Sequence, residues 1–142
     1  MAAAKKRVLV LCTGNSCRSQ MAEGWIRARM GDRWEVASAG THPVHAIHPL
    51  AVRAMAEAGV DISGNHPQSV EGFLNDRWDL VVTVCDYAQQ DCPNFPRPVP
   101  KLHVSFYDPA QAQGTDDERM VVFRRIRDEI RDRLLPEIDR HR

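Results

Sequence analysis

The sequence lacks an excess of charge of either sign, and it also lacks a long apolar run. Its 19 Lys and Arg residues equal its 19 Asp and Glu residues in number, which implies no general attraction to nucleic acid or to an anionic membrane. No apolar run approaches the about 20 residues that a membrane-spanning helix needs. The run after the basic start covers only residues 8–11, too short for the core of a signal peptide. We therefore expect a cytoplasmic protein that binds neither nucleic acid nor a membrane.

Repeats, linkers and low-complexity segments are also absent from the 142 residues. A chain of this length is expected to form one domain, here residues 1–142, and it can bury about two thirds of its unfolded surface without a disulfide or a metal. In the cytoplasm, four cysteines are better explained by chemistry or metal binding than by a structural framework. We expect a monomer with no tightly bound cofactor.

Four segments have the composition of strands. Residues 6–11 and 79–84 each contain a continuous apolar run, as expected for strands that are buried on both faces. A shorter strand is predicted at residues 34–38, and a last strand at residues 101–106. Because helical patterns separate these strands, the prediction is an α/β fold with three layers. It is Rossmann-like, with a four-stranded parallel sheet, helices on both faces and doubly wound connections.

The helical patterns have recognisable ends. The first begins at Arg18 and stops at Gly31, and a second covers residues 50–58. The capping-box sequence at residues 115–118 opens a long amphipathic helix, which Pro136 is expected to end or bend. A further short helix is expected between Cys85 and Cys92.

Three reactive side chains follow the predicted strands. Cys12 directly follows the first strand, Cys85 directly follows the third, and Asp108 lies just past the fourth. In an open parallel sheet, ligands bind beyond the carboxyl ends of the strands. We therefore expect these three groups to meet at one edge of the sheet.

Cys12 opens a short polar loop that leads into the first helix. The sequence is Cys12-Thr13-Gly14-Asn15-Ser16-Cys17-Arg18-Ser19. Backbone N–H groups of such a loop and the helix N-terminus can bind an oxyanion, and Arg18 adds a planar fork for two of its oxygens. The same groups are expected to lower the pKa of the Cys12 thiol and make it a nucleophile. The alternative is a buried Cys that simply ends a strand.

The other polar side chains near this loop receive separate interpretations. Ser16 and Ser19 are candidate donors to the thiolate, and Cys17 is expected to take no part in the chemistry. Asp108 precedes Pro109, and Asp-Pro is common in turns. Because Asp108 is expected at the same edge as Cys12, we interpret it as a general acid that protonates a leaving oxygen.

Cys85 and Cys92 are too far apart for a disulfide if the segment between them is helical. Their separation along a helix is about 10 Å, whereas a disulfide requires Cα atoms within about 7 Å. A bond between them therefore requires the polar segment 86–91 to unwind. The alternatives are two unrelated thiols or a zinc site, although the spacing is not the usual one for zinc. A metal site is also conceivable at His42, His45 and His48, but a solvated loop is the expected reading.

The run from Cys12 to Trp25 resembles the signature of the thioredoxin-coupled arsenate reductases, which share the fold of low-molecular-weight protein tyrosine phosphatases. The resemblance covers nearly the whole chain. Further matches are Ser38-Ala39-Gly40, Asp61-Ile62-Ser63, Asp79-Leu80-Val81-Val82-Thr83, the Cys85 and Cys92 pair, Asp108-Pro109-Ala110 and Arg127-Asp128-Glu129-Ile130. The phosphatases usually have Asp-Pro-Tyr at the Asp108 position, and they lack the Cys85 and Cys92 pair.

This resemblance implies a relay of three thiols. Cys12 attacks arsenate held by the loop and Arg18, while Asp108 helps an oxygen to leave. Cys85 then attacks Cys12, arsenite departs, and a Cys12–Cys85 disulfide remains. Cys92 finally attacks Cys85, and the new disulfide is offered to thioredoxin in a looped-out segment. The implied role is arsenic detoxification, with weak phosphatase activity as a side reaction.

The resemblance also implies a potassium site in some members of the family. The residues that match its ligands are Asn15, Glu23 and Ser38, together with an acidic residue at a position where this chain has Gln68. With one negative ligand fewer, a potassium ion would be held more weakly.

Two other functions remain open on the sequence alone. The first is a protein tyrosine phosphatase of the same fold, for which Cys12, Arg18 and Asp108 suffice. The second is a redox sensor that uses Cys85 and Cys92 as a switch without turnover.

Overall fold

A computed structural model describes residues 4–141 of the chain. Its elements, in chain order, are β1 (Lys6–Cys12), α1 (Arg18–Met30), β2 (Trp34–Gly40), α2 (Pro49–Glu57), a 3₁₀ turn (Val70–Phe73), β3 (Leu80–Thr83), α3 (Asp86–Gln90), β4 (Lys101–His103), a second 3₁₀ turn (Pro109–Gln111), α4 (Asp116–Glu129), a π turn (Ile130–Leu134) and α5 (Leu135–Asp139). The four strands are parallel and lie in the order β2-β1-β3-β4. The predicted α/β fold with a four-stranded parallel sheet is confirmed. No helix within residues 4–141 is long and apolar enough to cross a membrane.

The two central strands explain why the sequence has continuous apolar runs. Every residue of Val8–Leu11 in β1 has a relative exposure of 0%, and so do Leu80, Val81 and Val82 in β3. Successive side chains of a strand point to opposite faces, so both faces of the sheet are covered. Shortening one of these side chains, as in Leu9→Ala, is expected to cost about 2–5 kcal/mol of unfolding free energy.

Strand β4 is shorter than the sequence indicates. It ends at His103 rather than at residue 106. The chain nevertheless stays beside β3, because the N–H of Val104 donates to the Thr83 carbonyl at 3.0 Å and the N–H of Phe106 donates to the Val84 carbonyl at 3.1 Å. These two bonds carry the extended chain past the end of the sheet and bring Asp108 to its carboxyl edge.

Helical structure continues past Pro136, so the expectation that this proline ends the long helix is wrong. The capping box at Thr115 and Glu118 is present and begins α4 as predicted. Beyond α4, the π turn is followed by α5, in which Pro136 occupies the first turn. A proline is tolerated in the first turn because the N–H groups there need no partner within the helix.

Candidate active site

The loop after β1 is held by the segment that follows β2. Carbonyl oxygens of the loop accept backbone hydrogen bonds from that segment: Thr13 from His42 at 2.9 Å, Gly14 from Val44 at 3.0 Å and Ser16 from His48 at 3.1 Å. With its carbonyls bonded outward, the loop can turn N–H groups toward the thiol. The N–H of Asn15 does so, at 3.2 Å from the Sγ atom of Cys12.

Asn15 organises the loop through both its backbone and its side chain. Its φ of 55° lies in the left-handed region, which Asn tolerates better than most residues. Its amide Nδ2 donates to the hydroxyls of Ser19 at 2.7 Å and Ser38 at 3.0 Å, and its Oδ1 accepts from the N–H of Gln68 at 2.9 Å. The sequence pattern predicted for Asn15 only a place in the oxyanion loop and in the implied potassium site, and no local signal indicated this positioning role.

Gly40 is a second residue whose importance the sequence did not reveal. A Cβ atom at this position would lie 2.5 Å from the carbonyl oxygen of Thr13. Only glycine therefore allows the end of β2 to approach the loop so closely. The Ser38-Ala39-Gly40 match was the available signal, but it gave no reason for the glycine.

Cys12 is almost completely buried, with a relative exposure of 2%. Its Sγ lies 2.9 Å from the Ser19 hydroxyl. Because that hydroxyl already accepts from Asn15, its own proton is free to point at the sulfur. Burial raises the pKa of the Cys12 thiol, whereas the hydrogen bonds of Ser19 and the charge of Arg18 lower it. The expected lowering of this pKa is therefore not met, because burial has the larger effect.

Arg18 and Asp108 are brought together beside the loop. Arg18 donates through Nη1 to the carbonyl of Phe106 at 3.2 Å, and its Nη2 lies 3.7 Å from Oδ2 of Asp108. Its Nε is buried without a hydrogen-bond partner among the described residues, which leaves a donor for a bound oxyanion. Asp108 also caps the 3₁₀ turn after it, accepting at Oδ1 from the N–H of Ala110 at 3.0 Å. The turn interpretation of Asp108 thus holds alongside its place next to Arg18.

Cys85 contacts the same loop from the neighbouring strand. Its side chain is buried, and its Sγ lies 3.4 Å from the hydroxyl of Thr13. The same sulfur caps α3 by accepting from the N–H of Ala88 at 3.4 Å. The structure thus brings Cys12, Cys85, Arg18 and Asp108 to one edge of the sheet.

Cys92 lies just beyond the end of α3 and is half-buried. Burial raises the pKa of its thiol, and the charge of Lys101 lowers it. All four cysteines are free thiols, and the segment between Cys85 and Cys92 contains the predicted helix. Within α3 only Ala88 is buried, so apolar anchorage is as sparse as the sequence indicated.

Cys17 is the second cysteine of the loop after β1. It is buried, and burial raises its pKa to about 12 despite a contact with the Ser16 hydroxyl. Burial thus favours the protonated form of this thiol, which is a poor nucleophile.

The three histidines of the loop before α2 do not act as a group. His42 and His45 are exposed, whereas His48 caps α2 by accepting at Nδ1 from the N–H of Leu50 and contacts Arg119 through Nε2 at 3.1 Å. Burial, followed by the charge of Arg119, lowers the pKa of His48. Within residues 4–141, no group of three or more His, Cys, Asp or Glu side chains is arranged to hold a metal ion.

The residues implied for a potassium site lie together in the structure: Asn15, Glu23 and Ser38. However, both oxygens of the buried Glu23 carboxylate already have partners. Oε1 accepts from Ser38 at 3.1 Å, and Oε2 accepts from Asn65 at 2.9 Å and from the Arg27 guanidinium at 3.1 Å. Arg27 thus supplies a positive charge to the one acidic residue of the set, and the arrangement as it stands fits a potassium ion poorly.

Comparison with known sequences finds a matching family profile and similar proteins. The sequence profile of the family described as low molecular weight phosphotyrosine protein phosphatase matches residues 7–137. The chain is 50% identical over 130 residues to an arsenate reductase of Halalkalibacterium halodurans, covering 92% of this chain and 93% of that protein. It is 49% identical over 129 residues to an arsenate reductase of Bacillus subtilis, covering 91% and 92% of the two chains.

Solved structures of both activities share the fold. An arsenate reductase in the phosphate-binding state superposes with a TM-score of 0.73 at 30% identity, covering 96% of this chain and 99% of that chain. A low molecular weight protein tyrosine phosphatase from T. tengcongensis gives a TM-score of 0.79 at 27% identity, with the same coverage of 96% and 99%. The fold alone therefore does not separate the two reactions.

Proposed function

This chain belongs to the low molecular weight phosphotyrosine protein phosphatase family, and within that family we propose that it reduces arsenate to arsenite through Cys12, Cys85 and Cys92. The observation that carries this proposal is the contact between the Cys85 thiol and Thr13 of the Cys12 loop, at 3.4 Å. Hydrolysis at Cys12 does not require this second thiol, whereas the reduction of arsenate through a disulfide does. The named relatives of similar length are arsenate reductases, which supports the same choice.

The first step forms a bond between sulfur and arsenic. The loop N–H groups and Arg18 hold the tetrahedral oxyanion, and the buried Nε of Arg18 is available as one donor. The Cys12 thiolate attacks arsenic, and one arsenic–oxygen bond breaks. The departing oxygen is a hydroxyl of arsenate, which takes a proton from Asp108 and leaves as water.

The second step carries the reduction. The Cys85 thiolate attacks the Sγ of Cys12, a disulfide forms, and the sulfur–arsenic bond breaks. Its electron pair goes to arsenic, which is reduced from the pentavalent to the trivalent state and leaves as arsenite. The two thiols are oxidised to the Cys12–Cys85 disulfide, so electrons balance.

The third step returns Cys12 to its starting state. The Cys92 thiolate attacks the Sγ of Cys85 and displaces Cys12 as a thiolate. A dithiol reductant, which we propose to be thioredoxin in the cytoplasm, then reduces the Cys85–Cys92 disulfide. Thioredoxin suits this step because the disulfide lies in a segment that must unwind and is therefore exposed.

The decisive experiment is a coupled assay with arsenate, thioredoxin, thioredoxin reductase and NADPH. Wild-type protein should consume NADPH continuously and only when arsenate is present, which also excludes a redox sensor without turnover. Cys85→Ser should abolish this activity but leave slow aryl-phosphate hydrolysis. Multiple-turnover arsenate reduction by Cys85→Ser would overturn the relay.

Phosphatase activity is the second candidate, and a specific arrangement favours it. The three groups that hydrolysis requires lie close together: Cys12, Arg18 and Asp108. Hydrolysis requires none of the other thiols. Cys12→Ser should abolish both arsenate reduction and aryl-phosphate hydrolysis. If hydrolysis survives in that variant, Cys12 is not the nucleophile.

A further inference from the structure

A small cavity lies beside Cys92, away from the Cys12 loop. Its volume is about 220 Å³, and it is lined by Thr83, Gln89, Cys92, Lys101, Leu102 and His103. Residues from β3, β4 and the segment after Cys85 meet here. A polar connection on one side of this cavity joins the sheet to α3.

His103 makes that connection with both of its ring nitrogens. Its Nδ1 lies 2.7 Å from the hydroxyl of Thr83, and its Nε2 lies 3.0 Å from Oδ1 of Asp86. Thr83 is buried at the end of β3, and Asp86 is the first residue of α3. The His103 side chain is 24% exposed and that of Asp86 is 71% exposed, so their contact lies at the protein surface.

The remainder of α3 has few other attachments. Ala88 is buried, but Tyr87 is 71% exposed, and Asp86, Gln89 and Gln90 are exposed as well. The Ala88 N–H bonds to the Cys85 sulfur, so this attachment changes when Cys85 reacts. The hydrogen bonds from Thr83 through His103 to Asp86 are therefore a main attachment of α3 to the sheet.

We propose that His103 and Asp86 form a latch that keeps the 86–91 segment helical while Cys85 and Cys92 are thiols. The latch thereby sets the equilibrium between this dithiol and its disulfide. This inference rests on the proposed function, because only the relay requires Cys85 and Cys92 to bond. His103 and Asp86 act as positioning residues, since neither touches the reacting sulfur atoms.

The direction of the effect follows from geometry. A disulfide requires Cα atoms within about 7 Å, which a helix between the two cysteines does not allow. Forming it must unwind α3 and move Asp86, which breaks the bond to His103. The latch is thus present in the dithiol and absent in the disulfide, so its removal should favour the disulfide.

The test measures this equilibrium in buffers of oxidised and reduced dithiothreitol. In Cys12→Ser protein, Cys85 and Cys92 lose two protons and two electrons to oxidised dithiothreitol, which becomes the dithiol. Mass mapping of trapped thiols gives the fraction oxidised. For Asp86→Ala we expect the equilibrium constant for the disulfide to rise about two- to fivefold, the range for an exposed contact, which makes the potential about 10–20 mV more negative.

Matched variants separate the latch from a general effect on folding. Asp91→Ala removes an acid from the same exposed segment without touching His103, and it should leave the potential unchanged. Asp86→Asn keeps the acceptor oxygen and should restore part of the wild-type value. His103→Phe should shift the potential as Asp86→Ala does, and the double variant should show no further shift. Urea unfolding of each dithiol form reports loss of global stability separately.

The outcomes distinguish the latch from the relay. If the Cys85–Cys92 disulfide forms in the parent but Asp86→Ala and Asp91→Ala share its potential, the latch is wrong and the relay stands. Additive shifts in the double variant would equally contradict a latch through this contact. If no Cys85–Cys92 disulfide forms in the parent, the relay and the latch both fail.

Discussion

Cys12 and Cys92 sit in regions of the molecule that are held in opposite ways. Around Cys12, backbone bonds fix the loop carbonyls, and Asn15 ties the loop to Ser19, Ser38 and Gln68. Around Cys92, the preceding helix buries only Ala88, and its polar anchorage depends on His103. A site that binds a rigid oxyanion gains from being preformed, whereas a thiol that must travel to its partner gains from a weakly held segment.

Replacing the Arg18 fork tests the preformed region, with the largest expected effect. Arg18→Lys keeps a positive charge but loses the planar donors, including the buried Nε. We expect kcat/KM for arsenate to fall about 10²–10³-fold, the cost typical of removing a donor to a developing anion. Steady-state assays check this, with the exposed Arg53→Lys as control. A loss below threefold would show that the loop binds the oxyanion without the fork.

The hydroxyl of Ser19 offers a smaller change in the same region. Ser19 lowers the pKa of Cys12, so Ser19→Ala should raise that pKa and reduce the thiolate fraction at neutral pH. Reactivity at pH 7 should fall about tenfold or more, since a hydrogen bond to a charged group contributes about 1.5–3 kcal/mol. The acidic limb of the rate profile should move to higher pH.

Iodoacetamide alkylation against pH measures this in protein lacking Cys85 and Cys92. Ser16→Ala is the matched control, because the Ser16 hydroxyl contacts Cys17 rather than Cys12. An unchanged pH profile for Ser19→Ala would mean that Ser19 does not donate to the thiolate.

The region around Cys92 is the weakly held one, and replacing Lys101 there tests it with a smaller expected effect. Its charge lowers the pKa of Cys92, which burial raises. Lys101→Gln should therefore raise this pKa and slow the attack on Cys85 about threefold at neutral pH, as expected for a partly exposed charge worth about 0.2–1 kcal/mol. The difference should vanish at alkaline pH, where Cys92 is ionised in both proteins. Rapid-quench mapping of disulfides measures the step, and exposed Lys5→Gln should match wild type throughout.

The smallest expected effect concerns potassium. Because Arg27 already neutralises Glu23, potassium in place of sodium should change neither the Tm nor the arsenate activity of wild type. Arg27→Ala should lower the Tm by about 1–4 °C, the range for one partly exposed ion pair, and potassium should then restore part of the loss. Stabilisation of wild type by potassium but not by sodium would contradict the account of Glu23.

The parts of the fold that the sequence predicted are those with local signals. The apolar runs of β1 and β3, the capping box at Thr115 and the polar loop after Cys12 each have a composition that few other structures explain. The parallel arrangement of the strands then followed from general rules of α/β sheets. Because strand ends meet at one edge, Cys12, Cys85 and Asp108 could be placed together without any contact being known.

The parts that the sequence could not predict depend on contacts between distant segments. No local sequence pattern indicates three of these contacts. They are the close approach of Gly40 to Thr13, the bond between His103 and Asp86, and the pairing of Arg27 with a buried Glu23. The pKa of Cys12 was misjudged for the same reason. Loop donors can be inferred from spacing, but the depth of burial that outweighs them depends on the whole packing of the core.

Disulfide mapping after a single turnover tests the relay most directly. Reduced protein is mixed with one equivalent of arsenate without any reductant, quenched with acid, alkylated and analysed by mass spectrometry. Wild type should yield one equivalent of arsenite and a Cys85–Cys92 disulfide, and Cys92→Ser should yield the same arsenite with a trapped Cys12–Cys85 disulfide. Arsenite formed without either disulfide, or a disulfide to Cys17 in its place, would contradict the relay of three thiols.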